Sequence, residues 1–156
     1  MRLPNLKNTS NLWNFMVNSV KRFLVPLDGS KNSMRGLDKA ISLAKKSETE
    51  IILLHVIEIF PSETKIIKTI LKNALNKNYK NFIKIPKKKC LRNKIPFVDV
   101  IEYGKEGERI VSFAAENKCD LIVMGARGVG SIKEAFLGST SNYVLHTSKI
   151  PVMIVK

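Results

Sequence analysis

Strand-sized apolar runs alternate with helix-period segments along most of this chain, and that alternation restricts the fold more than any single motif. Arg22 to Leu27 reads as a short buried strand, with Asp28-Gly29-Ser30 as the turn after it. Met34, Leu37, Ile41 and Ala44 then recur at intervals of 3, 4 and 3, which is one face of a helix. Ser30 stands where it can cap that helix by accepting a bond from an early backbone N–H. Glu50 to Ile57, EIILLHVI, is an apolar run of the kind that forms a parallel strand covered on both faces.

A long helical region is expected next, with Ile67, Ile70, Leu71, Ala74 and Leu75 on one side. Pro86 should break or kink it, because proline lacks the N–H and clashes with the preceding turn. Phe97 to Tyr103 alternates like a strand, and Gly107 to Lys118 carries Ile110, Phe113 and Ala114 as a helical stripe. Asp120 to Met124 reads as another buried strand. A glycine stretch, a helix to about Ser148 and a last strand from Val152 to Val155 follow. The order βαβαβαβαβ predicts an α/β fold: a doubly wound, five-stranded parallel sheet with helices on both faces. Ligands of such sheets bind outside the carboxyl ends of the strands, where the strand order reverses. Asp28, Val56 and Gly125 all lie at such ends.

The glycine stretch, GARGVGSIKEAFLGSTSN from Gly125 to Asn142, admits two readings. Glycine lets backbone N–H groups approach an anion with no Cβ in the way. Gly138 precedes Ser139, Thr140 and Ser141, three hydroxyls at the start of a helix whose dipole favours phosphate. The alternative is that the glycines only shape a strand-to-helix turn, with Ser139 as its N-cap. Spacing alone leaves both open. It does exclude a P-loop, since no G-x-x-x-x-G-K-[ST] occurs, and GARGVG is not the dinucleotide pattern G-x-G-x-x-G.

Gly125-x2-Gly128-x9-Gly138-Ser139 resembles the nucleotide-binding signature of the universal stress protein family. VPLDGS at 25–30, ILLHVIE at 52–58, DLIVMGARG at 120–128, KEAFLGST at 133–140 and PVMIVK at 151–156 resemble that family's blocks in their usual order. The resemblance implies a domain over 21–156 with an N-terminal extension over 1–20. It also implies adenine-nucleotide binding, ATP with Mg²⁺, and a homodimer through the strand Val152–Val155. Carried over by position, Asp28 and the turn around it, Pro26 and Leu27 included, would meet the adenosine end. The Val56 backbone would bond adenine. Met124, Gly125, Arg127 and Gly128 would line ribose and phosphates, while Gly138, Ser139 and Thr140, with Ser141 beside them, would bind phosphate oxygens.

Charge adds a further reading. The net charge is +14, yet Lys65 to Lys94 carries eleven Lys/Arg and no Asp or Glu, so the basicity is local. An anionic partner, nucleic acid included, could meet that segment; so could plain solvent. The N-terminal twenty residues show no signal-peptide h-region, and no run is long enough to span a bilayer. Two cysteines, Cys90 and Cys119, stand 29 apart without metal-ligand spacing. A cytoplasmic location is therefore expected, with no membrane contact. Leu12, Trp13, Met16, Val17 and Val20 could form one amphipathic face, so the extension is expected to be a helix packed on its own domain or on a second subunit, with a flexible tail as the alternative.

Catalysis is not expected. Neither His55 nor His146 has a Ser/Asp partner by sequence, Asp120 precedes its strand, and Glu134 and Asp28 are the carboxylates placed near the cradle. A regulatory nucleotide binder with little or no hydrolysis is the leading expectation. A dimeric scaffold that needs no nucleotide and a nucleic-acid-associated protein using the 65–94 segment are the alternatives.

Overall fold

The computed structural model describes residues 21–45, 49–58, 79–129 and 137–156. The N-terminal extension, the apolar stripe from Ile67 to Leu75, Gly130 and Glu134 lie outside the described residues. In chain order the elements are β1 (Arg22–Pro26), α1 (Lys31–Ala44), β2 (Glu50–Ile57), α2 (Lys84–Arg92) and β3 (Phe97–Tyr103). After these come α3 (Glu106–Glu116), β4 (Leu121–Gly125), α4 (Ser139–Thr147) and β5 (Val152–Val155). The five strands form one sheet in the order β3-β2-β1-β4-β5, and every pairing is parallel. The doubly wound sheet expected from the alternation is the sheet observed.

Two hydrophobic clusters explain why the central strands are apolar at nearly every position. Phe23, Val25, Ile51 and Leu53 meet Leu37, Ala40, Ile41 and Ala44 of α1 and Cys90 of α2 on one face. Leu24, Ile52 and Leu54 meet Ile110, Phe113 and Ala114 of α3 and Val144 of α4 on the other. Alternate residues of one strand thus serve opposite cores, which a strand solvated on one face would not need. Ser30 caps α1 as expected: its Oγ accepts from Ser33 N at 3.0 Å.

Pro86 falls in the first turn of α2, after an interruption at Ile83 in a helical stretch that begins by Tyr79. First-turn N–H groups have no intrahelical partner, so proline is tolerated there. Part of the local basicity is neutralised in the fold. Lys87 pairs with Asp99 at 2.6 Å and Lys89 with Asp38 at 2.5 Å. No described helix is long and apolar enough to cross a membrane.

Candidate functional site

β1 has β2 on one side and β4 on the other, so the chain leaves β1 toward one edge of the sheet and returns beyond it. The two connections diverge above the carboxyl ends of β1 and β4. A cleft of about 670 Å³ opens there, lined by Pro26, Asp28, Met124, Gly125, Arg127, Gly128, Gly138, Ser139, Thr140 and Ser141. That volume lies within the range of small-molecule sites. Asp120 sits at the opposite end, where its Oδ2 accepts from Lys21 N and Arg22 N, each at 2.8 Å.

Asp28 ties the first turn to the glycine stretch. Its Oδ1 accepts from Ser30 N at 2.9 Å, and its Oδ2 accepts from Val129 N at 2.9 Å. Burial alone would raise the Asp28 pKa, but bonds from Ser30, Ser33 and Val129 outweigh it and hold the carboxyl below its usual range. A depressed folded pKa means stability that is present above the unfolded value and lost as pH falls through the folded one. Asp28→Asn is therefore expected to flatten the acid limb of the stability profile, read from urea midpoints across acidic pH. An unchanged acid limb would remove Asp28 as its source.

The glycines divide by what a side chain would strike. At Gly125 a Cβ would lie 2.5 Å from the Asn32 carbonyl carbon and 2.6 Å from its oxygen, so the first turn of α1 demands glycine. At Gly128 it would lie 2.7 Å from Asp28 Oδ2. Gly138 is different: φ is −74° and the nearest contact of a Cβ would be 3.4 Å, to Arg127 Cα. Ordinary packing leaves room for a side chain at that position.

Gly138 is also the N-cap of α4 and offers no side-chain cap, so the first-turn N–H groups lack one. Ser139 is the first helical residue rather than the N-cap considered from sequence. Ser141 is buried, and its Oγ reaches Ala126 O at 2.7 Å and Gly138 O at 3.0 Å, tying α4 to the end of β4. Thr140 Oγ1 donates to Glu106 Oε2 at 2.7 Å.

Residues 19–156 match the sequence model of the universal stress protein family. The chain belongs to the universal stress protein family. Universal stress protein YxiE of Bacillus subtilis is 31% identical over 145 residues, covering 86% of this chain and 98% of the relative. Among solved structures, protein MJ0577 of Methanocaldococcus jannaschii superposes with a TM-score of 0.78 at 33% identity, covering 88% of this chain and 96% of that one. A universal stress protein solved in complex with cAMP superposes with a TM-score of 0.66 at 25% identity, covering 87% and 96%.

Two residues singled out from the resemblance to universal stress proteins, Leu27 and Val56, are not among those that line the cleft. Leu27 is buried in the α1-side core, its N–H donating to Leu54 O and its carbonyl accepting from His55 Nδ1 at 2.7 Å. Because a carbonyl only accepts, Nδ1 carries the proton there, and His55 also stacks on Tyr79. It is a satisfied structural histidine. Val56 lies half-buried in β2, in register with Glu102.

Conversely, Ser33, Glu58, Glu106, Ile110, Val129 and Leu137 line the cleft without having been singled out. Sequence reasoning placed only Asp28 and Glu134 as nearby carboxylates; Glu58 and Glu106 have to be added. Both were findable, since Glu58 follows β2 and Glu106 follows β3, at the carboxyl ends where ligands of this universal stress protein sheet belong. Burial raises the Glu106 pKa and the Asp28 and Glu58 charges add to the rise, while the Thr140 bond and His55 oppose it. Among the described residues no group of three or more His, Cys, Asp or Glu could hold a metal ion.

Proposed function

We propose that this universal stress protein binds an adenine nucleotide, ATP with Mg²⁺, in the cleft between β1 and β4 and acts as a regulatory binder with little or no hydrolysis. One observation carries the reading: the α4 N-terminus opens into the cleft behind Gly138, the glycine that neither packing nor backbone angle requires. Uncapped first-turn N–H groups suit phosphate oxygens. The cAMP complex of a universal stress protein at 25% identity supports the same ligand class.

The helix dipole supplies only about 0.3–1 kcal/mol, whereas a micromolar ligand needs about 8 kcal/mol. Several hydrogen bonds and a buried ring must provide the rest. Met124 and Ile110 give the cleft apolar surface, and Asp28 offers an acceptor to a ribose or adenine donor. Mg²⁺ rides on the phosphates with its waters, as small hard cations do on nucleotides.

The chain works as a homodimer through β5, an edge strand whose four residues are all half-buried. Residues 21–156 fold as the domain, 1–20 are appended to it, and the protein resides in the cytoplasm. Light scattering at micromolar concentration is expected to return twice the chain mass. A monomer there would contradict the β5 interface.

Thermal unfolding with excess ligand tests the binding reading. At a hundredfold excess over Kd a nucleotide adds about 2.7 kcal/mol to the folded state, so adenine nucleotides should raise the melting temperature by several degrees. Tripolyphosphate should raise it far less once salt screens the surface. Equal shifts from both would leave only a basic surface, favouring the scaffold or nucleic-acid alternatives. Rapid multiple turnover of ATP would overturn the regulatory reading.

A further inference from the structure

Thr140 belongs to the helix turn assigned above to the phosphates, yet its hydroxyl already donates to a carboxylate. Glu106 Oε2 accepts it at 2.7 Å, and both residues line the cleft. The backbone that carries Glu106 is held on two sides, and its carboxylate is positioned by the Thr140 bond. The Glu106 backbone N–H donates to Glu58 Oε1 at 3.2 Å. The next residue, Gly107, packs so tightly on Tyr143 of α4 that a Cβ would lie 2.7 Å from the ring. A negative charge is thus held between α3 and α4, against the turn where an anionic tail would sit.

We propose that Glu106 is a specificity-determining residue that acts as a charge filter: it disfavours free nucleoside triphosphate and favours forms whose tail charge is reduced, the Mg²⁺ complex or a monophosphate. The proposal rests on the nucleotide reading of the same cleft. A fixed carboxylate repels each additional phosphate charge through a partly desolvated path, where Coulomb forces exceed those in bulk water. It also competes for the Thr140 hydroxyl, since one O–H serves one good acceptor. Mg²⁺ removes two charges from the tail and relieves most of that repulsion.

Several charged groups share this setting. Asp28 comes from the turn after β1, His55 from β2, Glu58 from just beyond β2, and Arg127 from beyond β4. Asp28 and Glu58 oppose ionisation of Glu106 while placing their own negative charge beside the same cleft. His55 opposes them. From α4 the Thr140 hydroxyl meets Glu106, while the Tyr143 ring packs on the adjacent Gly107; the preceding Lys105 is paired with Glu108 at 2.7 Å. Because the Glu106 pKa is raised, mild acidification should discharge the filter before it discharges an ordinary surface glutamate.

Calorimetric titration of wild type and Glu106→Gln with AMP, Mg-ATP and ATP in excess EDTA, at one ionic strength, tests this. Wild type should prefer Mg-ATP over free ATP, and the substitution should shrink that preference by about tenfold, with AMP affinity nearly unchanged. In wild type the preference should also narrow from neutral to mildly acidic pH by more than in Glu106→Gln, a comparison that cancels the nucleotide's own titration. Equal preference in wild type and Glu106→Gln, with both binding nucleotide, would overturn the filter and leave the nucleotide reading standing. Failure of wild type to bind any adenine nucleotide would sink that reading, and the filter with it.

Discussion

Gly125→Ala is expected to destabilise the protein by about 3 kcal/mol, the upper part of the usual range for forcing extra atoms into a packed site. For a domain of this size that is a fall of about 6–12 °C in melting temperature. The reason is what the new methyl group meets: the Asn32 carbonyl carbon at 2.5 Å, its oxygen at 2.6 Å and Ser33 N at 2.8 Å, all backbone atoms of the α1 first turn. Backbone in a capped helix cannot step aside as a side chain can. Gly36 meets the same seam from the other side, where a Cβ would lie 3.2 Å from Gly125 N. Gly128→Ala is the control, because its methyl group would meet a carboxylate oxygen of Asp28 at 2.7 Å, the movable end of a side chain. It should cost clearly less. If Gly125→Ala melts within a degree or two of wild type, the close approach of α1 to β4 is not as described.

Gly138→Val should show the opposite profile, with stability changed by no more than about 1 kcal/mol, the scale of an N-cap replacement, and nucleotide affinity reduced by a hundredfold or more. A Cβ at Gly138 makes ordinary contacts only, the nearest at 3.4 Å, so the fold accepts it. The branched methyl groups would crowd the uncapped N–H groups of the first α4 turn, and a hundredfold loss corresponds to about 2.7 kcal/mol of bonds no longer made. Melting curves and titrations on the same preparations would separate the two glycines, one serving packing and the other the ligand. Undiminished affinity in a folded Gly138→Val protein would remove the α4 N-terminus from the site.

How much of this was legible in the sequence follows from where each constraint originates. The strands were readable because parallel central strands bury both faces, which writes RFLVP and EIILLHVI as continuous apolar runs. Turn chemistry at Asp28 and Ser30 was readable because both bonds are local, spanning two and three residues. Long-range facts were not. Nothing near Gly125 in sequence announces that Asn32 will press on it, and the Asp28–Val129 bond joins residues 101 apart. Ser139 lost the N-cap position to Gly138 by a one-residue shift, the usual uncertainty of a helix end.

Within the cleft, Glu58 and Glu106 carry no local signature, because the glycine spacing marks only the β4 end of the sheet while these carboxylates follow β2 and β3. Leu27 and Val56 came from family resemblance. Here the Leu27 side chain packs in the core and Val56 lies outside the cleft lining. The local basicity of 65–94 was legible as composition, but its partial neutralisation by Asp38 and Asp99 required the fold that brings α1 and β3 beside α2.

An adenine-nucleotide site in the cleft above β1 and β4 and a basic surface that attracts polyanions call for different titration behaviour. Isothermal titration of the wild-type protein with Mg-ATP at low and high salt, with GTP and tripolyphosphate beside it, tests this most directly, since a chain of net charge +14 attracts any polyanion. Saturable binding is expected, one nucleotide per chain, selective for adenine and largely retained at high salt. Binding that tripolyphosphate matches and salt abolishes would contradict the adenine-nucleotide site.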